Sequence, residues 1–211
     1  MPVDYPKPLV IFGAGPFSEL MLHHFREDTG AEVVALTVDR DYIGTSQLHG
    51  LPVLAFEDLE NTFPPDRYDL FFAIGYKRMR DRERMFHRVQ SRGYKLVNFV
   101  SSHSLVQGLQ GMGDNNVVIG NAVIEPYCMI GHNNIFWSGA VVCHGSRVGN
   151  HNFLAAGTIL GGDCHVGDRC FLGFGATVLD KVNIATRTPA AVSRATVARA
   201  SAIETRSSAV P

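Results

Sequence analysis

Two hydrophobic rhythms divide this chain. In the first hundred or so residues, apolar runs alternate with amphipathic stretches. Residues 8–12, PLVIF, predict a short strand ending in the turn GAGPFSE, and the LMLHHF that follows has apolar positions at helical spacing. EVVALTVD predicts a second strand, LPVLAF a short third, FEDLENTF a helix closed by Pro64 and Pro65, and YDLFFAIG a buried strand. KRMRDRERMFHRVQSRG reads as an amphipathic helix with Gly93 at its end, and KLVNFV as one more strand. Strands that alternate with helices pair in parallel and are covered on their faces, so residues 1–103 are expected to form a small α/β unit.

From Ser101 the helical period vanishes. Every sixth residue from Met112 is apolar: Val118, Ile124, Ile130, Phe136, Val142, Val148, Leu154, Leu160, Val166, Leu172, Val178 and Ile184. At 45% hydrophobic content, thirteen such hits in a row arise by chance with a probability of about 10^-5 before register is allowed for, so this is a repeat. Four residues after each comes a small or turn-forming side chain: Asn116, Ala122, Cys128, Asn134, Ala140, Ser146, Asn152, Thr158, Cys164, Cys170 and Ala176. Two positions per hexad therefore point inward. A lone strand would alternate with period two; a dominant period of six predicts that each hexad forms one flat side and then turns a corner, with three sides closing a coil. The superperiod of eighteen appears in the pairs Met112-Gly113, Ile130-Gly131, Val148-Gly149 and Val166-Gly167. Residues eighteen apart then stack at about 4.7–4.9 Å, giving a triangular prism of roughly four to five coils. It is expected over residues 104–188, followed by an atypical tail, 189–211, in which a short helix around 195–205 and a flexible end are both compatible with the composition.

Charge and cysteine content narrow the partners. Nineteen basic against twenty acidic side chains leave a net charge of -1, so no field exists to hold nucleic acid or an anionic membrane. No apolar run approaches the roughly 20 residues that span a bilayer. The opening MPVDYPKPLV lacks the regions of a signal peptide, and a cytoplasmic location is expected. Four cysteines without a CxxC pair argue against a disulfide framework and a structural zinc site; no metal is expected.

The hexads, with IFGAGPFSE, AIGYKR, WSGAVVCHGSRVG and CFLGFGATVLD, span residues 8 to about 185. Together they resemble the hexapeptide-repeat acyltransferases, and among these the sialic acid O-acetyltransferase (NeuD) and bacillosamine acetyltransferase (PglD) family of sugar acyltransferases. The resemblance implies that the prism is a left-handed parallel β-helix; the spacing itself does not give the hand, and the general crossover rule favours the right. It further implies a Rossmann-like front domain that binds a nucleotide-linked sugar, a homotrimer, and transfer of acetyl from acetyl-CoA to an amino or hydroxyl group of that sugar.

In the turn after the first strand, Gly13 and Gly15 let the backbone approach a phosphate, with the amides of the next helix facing its charge. The same turn also suits an α/β unit without a ligand. Ser18 stands where a dinucleotide fingerprint has its third glycine, which weakens an NAD reading. Asp39, after the second strand, is a candidate acceptor for ribose hydroxyls or an ordinary loop carboxylate. Gly75 and Tyr76 follow a buried strand at the end where such ligands sit, Tyr76 being equally a packing aromatic. By resemblance this pocket holds the nucleotide.

Nine histidines compete for the role of base. His23, His24 and His87 fall on helices. His144, two residues after inward Val142, is expected to leave the prism, and an imidazole of unperturbed pKa about 6.5 can take a proton at neutral pH. AVVCHGSRVG matches the family segment in which a histidine accepts the proton of the attacking amine or hydroxyl. His132 is the fallback; His151 and His165 fit less well. Bacillosamine-type enzymes carry a glutamate directly after this histidine, where this chain has Gly145. Glu125 lies eighteen residues before Cys143, hence beside His144, and is the expected replacement. One rung above, Gly161 and Gly162 leave a slot for a pantetheine arm and backbone NH groups for a thioester oxygen, unless they only turn a corner. The resemblance makes Gly162 that amide donor and puts Phe153 and Phe174 along the coenzyme channel. Cys128, Cys164 and Cys170 are read as core, whereas Cys143 leaves a covalent Cys–His route open beside direct transfer in a ternary complex. Trp137 suits a subunit contact or a sugar-stacking surface. The rival to an acetyltransferase is a trimeric nucleotide-sugar-binding or scaffold protein whose centre has decayed, favoured by Gly145 and the tail, opposed by His144 and Gly162.

Overall fold

The computed structural model describes residues 3–75, 79–187 and 189–190, so Tyr76 and the expected helix at 195–205 lie outside the described residues. The front domain runs β1 (Leu9–Phe12), α1 (Pro16–Asp28), β2 (Val33–Val38), β3 (Gln47–Leu48), β4 (Leu51–Ala55), α2 (Leu59–Thr62), β5 (Asp69–Phe72) and α3 (Met79–Gln90). Its strands lie in the order β3-β4-β2-β1-β5, parallel except for β3 on β4. That hairpin is not visible in the apolar pattern. It closes through His49 and Gly50, at φ 51° and 79°, the two left-handed residues that match a tight turn to the twist of its strands.

Every residue of β1 and β5 is buried, as expected for strands covered on both faces. Leu9 and Ile11 pack with Met21, Leu22 and Phe25 of α1 on one side; Val10 and Phe12 pack with Phe56, Leu59, Phe86 and Val89 on the other. KLVNFV is not one strand. Leu96 bridges Leu70 beside β5, whereas Phe99–Val100 pairs with Val117–Val118 and opens the first side of the prism.

The prism pairs residues eighteen apart on three parallel sheets of six, five and four strands. The row Val117, Ile135, Phe153, Phe171 and Pro189 illustrates the register, and it carries the repeat one strand past Ile184. All twelve sixth positions from Val118 to Ile184 are at most 8% exposed. The two-residue sides leave corner amides without strand partners, and the inward asparagines supply them. Asn116 Oδ1 accepts from Asn134 N at 2.9 Å, Asn134 Oδ1 from Asn152 N at 2.9 Å, and Asn152 Oδ1 from Cys170 N at 2.7 Å. These polar side chains sit inside the prism because each closes a backbone group that would otherwise be buried unpaired.

One face of the prism, through Val117, Ile135 and Phe153, joins the apolar core of the front domain. Two polar clamps fix the join. Asn115 Oδ1 accepts from Phe72 N at 2.7 Å and its Nδ2 donates to Phe72 O at 3.0 Å, completing the edge of β5. Arg82 of α3, 2% exposed, donates to Ile74 O at 2.9 Å and Asn133 O at 2.7 Å, and also to Asn133 Oδ1. Burial pulls its pKa down to about 9, which leaves it charged at neutral pH.

Candidate active site

His144 lies in the corner between Val141–Val142 and Arg147–Val148, where the chain leaves one face of the prism for the next. Its side chain is 66% exposed, outside the prism. Glu125, in the same corner one coil earlier, reaches it with a single oxygen: Oε2 accepts from His144 N at 2.7 Å and lies 3.1 Å from Nδ1. Those contacts, the backbone N–H first, hold the Glu125 carboxyl below its usual range, so it is ionised at neutral pH. An ionised carboxylate only accepts, so Nδ1 carries the proton and the lone pair of neutral His144 is on Nε2. Nε2 points to the next coil, where it would lie 2.9 Å from a Cβ built on Gly162. The slot left by Gly162 therefore receives the edge of the imidazole.

Both amides of the glycine pair are engaged. Gly161 N donates to Val178 O at 2.9 Å, and Gly162 N to Asp180 Oδ1 at 2.8 Å. This departs from the expectation of NH groups open to a ligand. Asp180 does carry a sequence signal, since it lies eighteen residues after Gly162, but no motif draws the eye to it. Gly145 has φ +70°, a left-handed conformation that Tyr127 and Asp163, one coil to either side, also hold, and a Cβ there would meet Asp163 Oδ1 at 2.3 Å, so a glutamate next to His144 requires the exposed Asp163 side chain to turn away.

The other candidates separate from this corner. Phe153 is 6% exposed, tilted on Trp137 at 5.7 Å and stacked on Phe171 at 5.3 Å between ring centroids. It packs in the interdomain core, because its strand face is the one that the front domain covers. Phe174 is 71% exposed but in the corner between Phe171–Leu172 and Thr177–Val178, a different corner from Gly161 and Gly162. Trp137 stacks on Phe17 of α1 at 6.3 Å, so it bridges the two domains.

His132 has the opposite tautomer from His144: its Nδ1 accepts from Asp114 N at 2.9 Å, which leaves the proton of the neutral ring on Nε2 and no lone pair for a base. His151 is 2% exposed, and His165 is exposed on the outer row with Arg147 and Asn183. His24 and His23 pair on α1 at 5.8 Å. Cys128, Cys164 and Cys170 are buried inside the prism. Burial, then Glu125 and Asp180, pushes the Cys143 thiol up, away from the thiolate that a covalent route needs.

Glu83, His87 and His151 bring ligand-type atoms within 4.8 Å of one another. Asn133 Oδ1 already accepts from Arg82, so Asn133 Nδ2 donates to His151 Nδ1 at 2.9 Å. His151 Nε2 then carries the proton and faces Glu83 Oε1 at 3.9 Å, with Arg169 also on that carboxylate. Burial and the nearby Arg82 lower the His151 pKa to about 3. A protonated nitrogen flanked by two guanidinium groups does not fit a cation.

At the carboxyl ends of β1 and β5 the front domain gathers Gly15, Phe17 and Gly75. A Cβ on Gly15 would meet nothing within 4 Å, and one on Gly75 only Phe17 Cβ at 3.9 Å. Gly13, at φ +136°, serves packing instead. A Cβ there would meet Ala73 O at 2.8 Å and Ser18 Cβ at 3.1 Å, so it lets β1 and α1 close on the end of β5. Asp39 lies at the end of β2 with Oδ1 accepting from Arg88 at 2.6 Å, which orients the carboxylate.

A prism of hexad coils behind a Rossmann-like sheet, with a histidine–carboxylate pair on an outer corner, is the architecture of the hexapeptide-repeat transferases. Residues 145–180 match the bacterial transferase hexapeptide (six repeats) family, and residues 8–89 match the PglD N-terminal domain. These two matches, with the solved structures below, support a NeuD/PglD-like sugar acyltransferase; the class is acyltransferase and the prism a left-handed parallel β-helix. Among solved structures it is similar to a histidine-to-asparagine mutant of perosamine N-acetyltransferase from Caulobacter crescentus in complex with CoA and GDP-perosamine. That match has 27% identity and a TM-score of 0.73, and covers 85% of this chain and 83% of that one. It also resembles in fold the acetyltransferase domain of PglB from Neisseria gonorrhoeae FA1090 in complex with acetyl coenzyme A, at 20% identity, TM-score 0.69 and 84% of each chain. No curated protein matches the chain. No helix among the described residues is long and apolar enough to cross a membrane.

Proposed function

We propose that this protein is an acetyl-CoA-dependent acetyltransferase acting on an amino or hydroxyl group of a nucleotide-linked sugar, with His144 as general base. The observation that carries the reading is the His144–Glu125 pair, which leaves Nε2 unprotonated and facing the slot at Gly162 on an exposed corner of the prism. The acceptor's lone pair attacks the thioester carbon and its proton passes to Nε2. The tetrahedral intermediate then expels the coenzyme thiolate, which takes the proton back from the imidazolium. Glu125 fixes the tautomer and stabilises the charged ring. The raised Cys143 pKa favours this direct transfer in a ternary complex over an acyl-cysteine.

The nucleotide is expected at Gly15, Gly75 and Asp39, with Gly13 shaping the turn and Tyr76 beyond the described residues. The relative solved with GDP-perosamine supports a sugar nucleotide, and its CoA supports the acyl donor. On one chain the front domain covers a single prism face, whereas His144 sits in the opposite corner, between the other two. One of those faces exposes an apolar row including Leu105, 55% exposed, and Ile159, 41% exposed. Both facts support a homotrimer in which a neighbour's sugar reaches His144 and Phe174 helps to line the coenzyme site between chains. The test is release of free CoA from acetyl-CoA over a panel of nucleotide-linked amino and hydroxy sugars. Wild type is expected to turn over, His144→Ala to lose about 10²–10⁴-fold, and Glu125→Gln to lose activity with a shifted pH-rate profile. No release by wild type with any acceptor would favour the scaffold reading instead.

A further inference from the structure

The Gly162 amide follows a rule of this prism. In another corner the backbone N–H of one residue goes to the side chain one coil later. Asp114 N goes to His132 Nδ1 at 2.9 Å, His132 N to Asn150 Oδ1 at 2.8 Å, and Asn150 N to Asp168 Oδ1 at 2.6 Å. Gly162 N to Asp180 Oδ1, at 2.8 Å, is the same contact in the His144 corner. The rule then breaks one coil earlier. Gly162 has no side chain to accept from His144 N, and Glu125 takes that hydrogen from the other side. The His144 corner thus ends as two carboxylates, one gripping the base and one gripping the amide that lies against it.

Asp180 also lies across the glycine pair. A Cβ on Gly161 would meet Asp180 Oδ1 at 2.4 Å and Asp180 N at 2.6 Å. The side chain is exposed, so it can turn to water without burying a charge.

We propose that Asp180 competes with the acyl group of the donor for the Gly162 amide, and so sets the preference of this site for acylated over free coenzyme. This rests on the acetyltransferase reading above together with the role that the family resemblance implies for Gly162, the amide donor to the thioester oxygen. A carboxylate is the stronger acceptor, so donor binding must displace it, and the displacement weighs on acetyl-CoA but not on CoA, which brings no carbonyl to that amide. Asp180 is a positioning residue here: it acts through the Gly162 N–H and needs no contact with the reacting atoms.

Calorimetric titration of acetyl-CoA and of CoA into wild type, Asp180→Ala and Asp180→Asn tests this. Asp180→Ala is expected to bind acetyl-CoA roughly tenfold more tightly, the scale of one lost charge-assisted contact. Its CoA affinity should stay within about twofold, and Asp180→Asn, a weaker neutral acceptor in the same place, should fall between. An equal gain for both ligands overturns the proposal, because it reports only the loss of a negative charge near an anionic coenzyme. Unchanged acetyl-CoA affinity overturns it too. Failure of all three proteins to bind either ligand overturns the coenzyme reading itself, an outcome separate from an unaltered ratio.

Discussion

Gly162→Ala isolates the geometry of the base from the stability of the fold. Gly162 is not among the residues with positive φ, so alanine meets no backbone strain. What it meets is His144: the new methyl would stand 2.9 Å from Nε2 and 3.0 Å from Cε1, against an ordinary contact of about 3.5–4.0 Å. The ring must give way by roughly half an ångström to one ångström, and since it is 66% exposed it can swing out at little cost. Stability should therefore change by no more than about 0.5 kcal/mol. The swing breaks the alignment of Nδ1 on Glu125 and moves Nε2 off the reacting proton. A displacement of that size costs about 10²-fold in rate, about 2.7 kcal/mol of barrier. Thermal melts and CoA-release kinetics on the same preparation read both quantities. A variant that melts with the wild type and turns over within about twofold of it would refute the reasoning, since it would mean that the imidazole works equally well away from its seat.

Three further outcomes are expected. Gly145→Glu, which restores the carboxylate of the bacillosamine-type enzymes, should lose about 1–2 kcal/mol in urea denaturation, because φ is +70° and the exposed Asp163 must turn away from the new Cβ, and it should gain no turnover, because Glu125 already holds Nδ1 of His144. Gly13→Ala should be among the more damaging single changes in the front domain, about 2–4 kcal/mol, with φ at +136° and Ala73 O at 2.8 Å; an unchanged denaturation midpoint would count against the close-approach account. His151, with its folded pKa near 3 against about 6.5 unfolded, contributes fully above pH about 6.5 and progressively less as pH falls toward 3. Between pH 7 and 5 the protein should lose about 2 kcal/mol through this group, a slope that His151→Gln should remove in urea midpoints measured across that range.

The sheet domain, the hexads and the alignment of His144 with Glu125 are legible because each depends on spacing. A period of six with a superperiod of eighteen assigns every prism residue a face, a corner and a neighbour, and the same count points to Glu125 and, carried one coil further, to Asp180. Arg82 leaves a fainter trace, a basic residue on the stripe that carries Phe86 and Val89 along α3. Phe153 marks the limit of that legibility: the repeat says that its side chain points outward and not what lies against it.

What the sequence determined by itself is therefore local and periodic: which side chains stack, which enter the prism, which corner bears the imidazole. Only the tertiary structure decided which prism face the front domain covers, that Trp137 and Phe153 are consumed by that join, and that His132 and His144 hold their protons on opposite nitrogens. It also decided that the amide of Gly162 is occupied. The physical reason is that stacking order follows from chain geometry one residue at a time, whereas tautomers, buried charges and hydrogen-bond ownership depend on which groups from distant segments arrive at the same place.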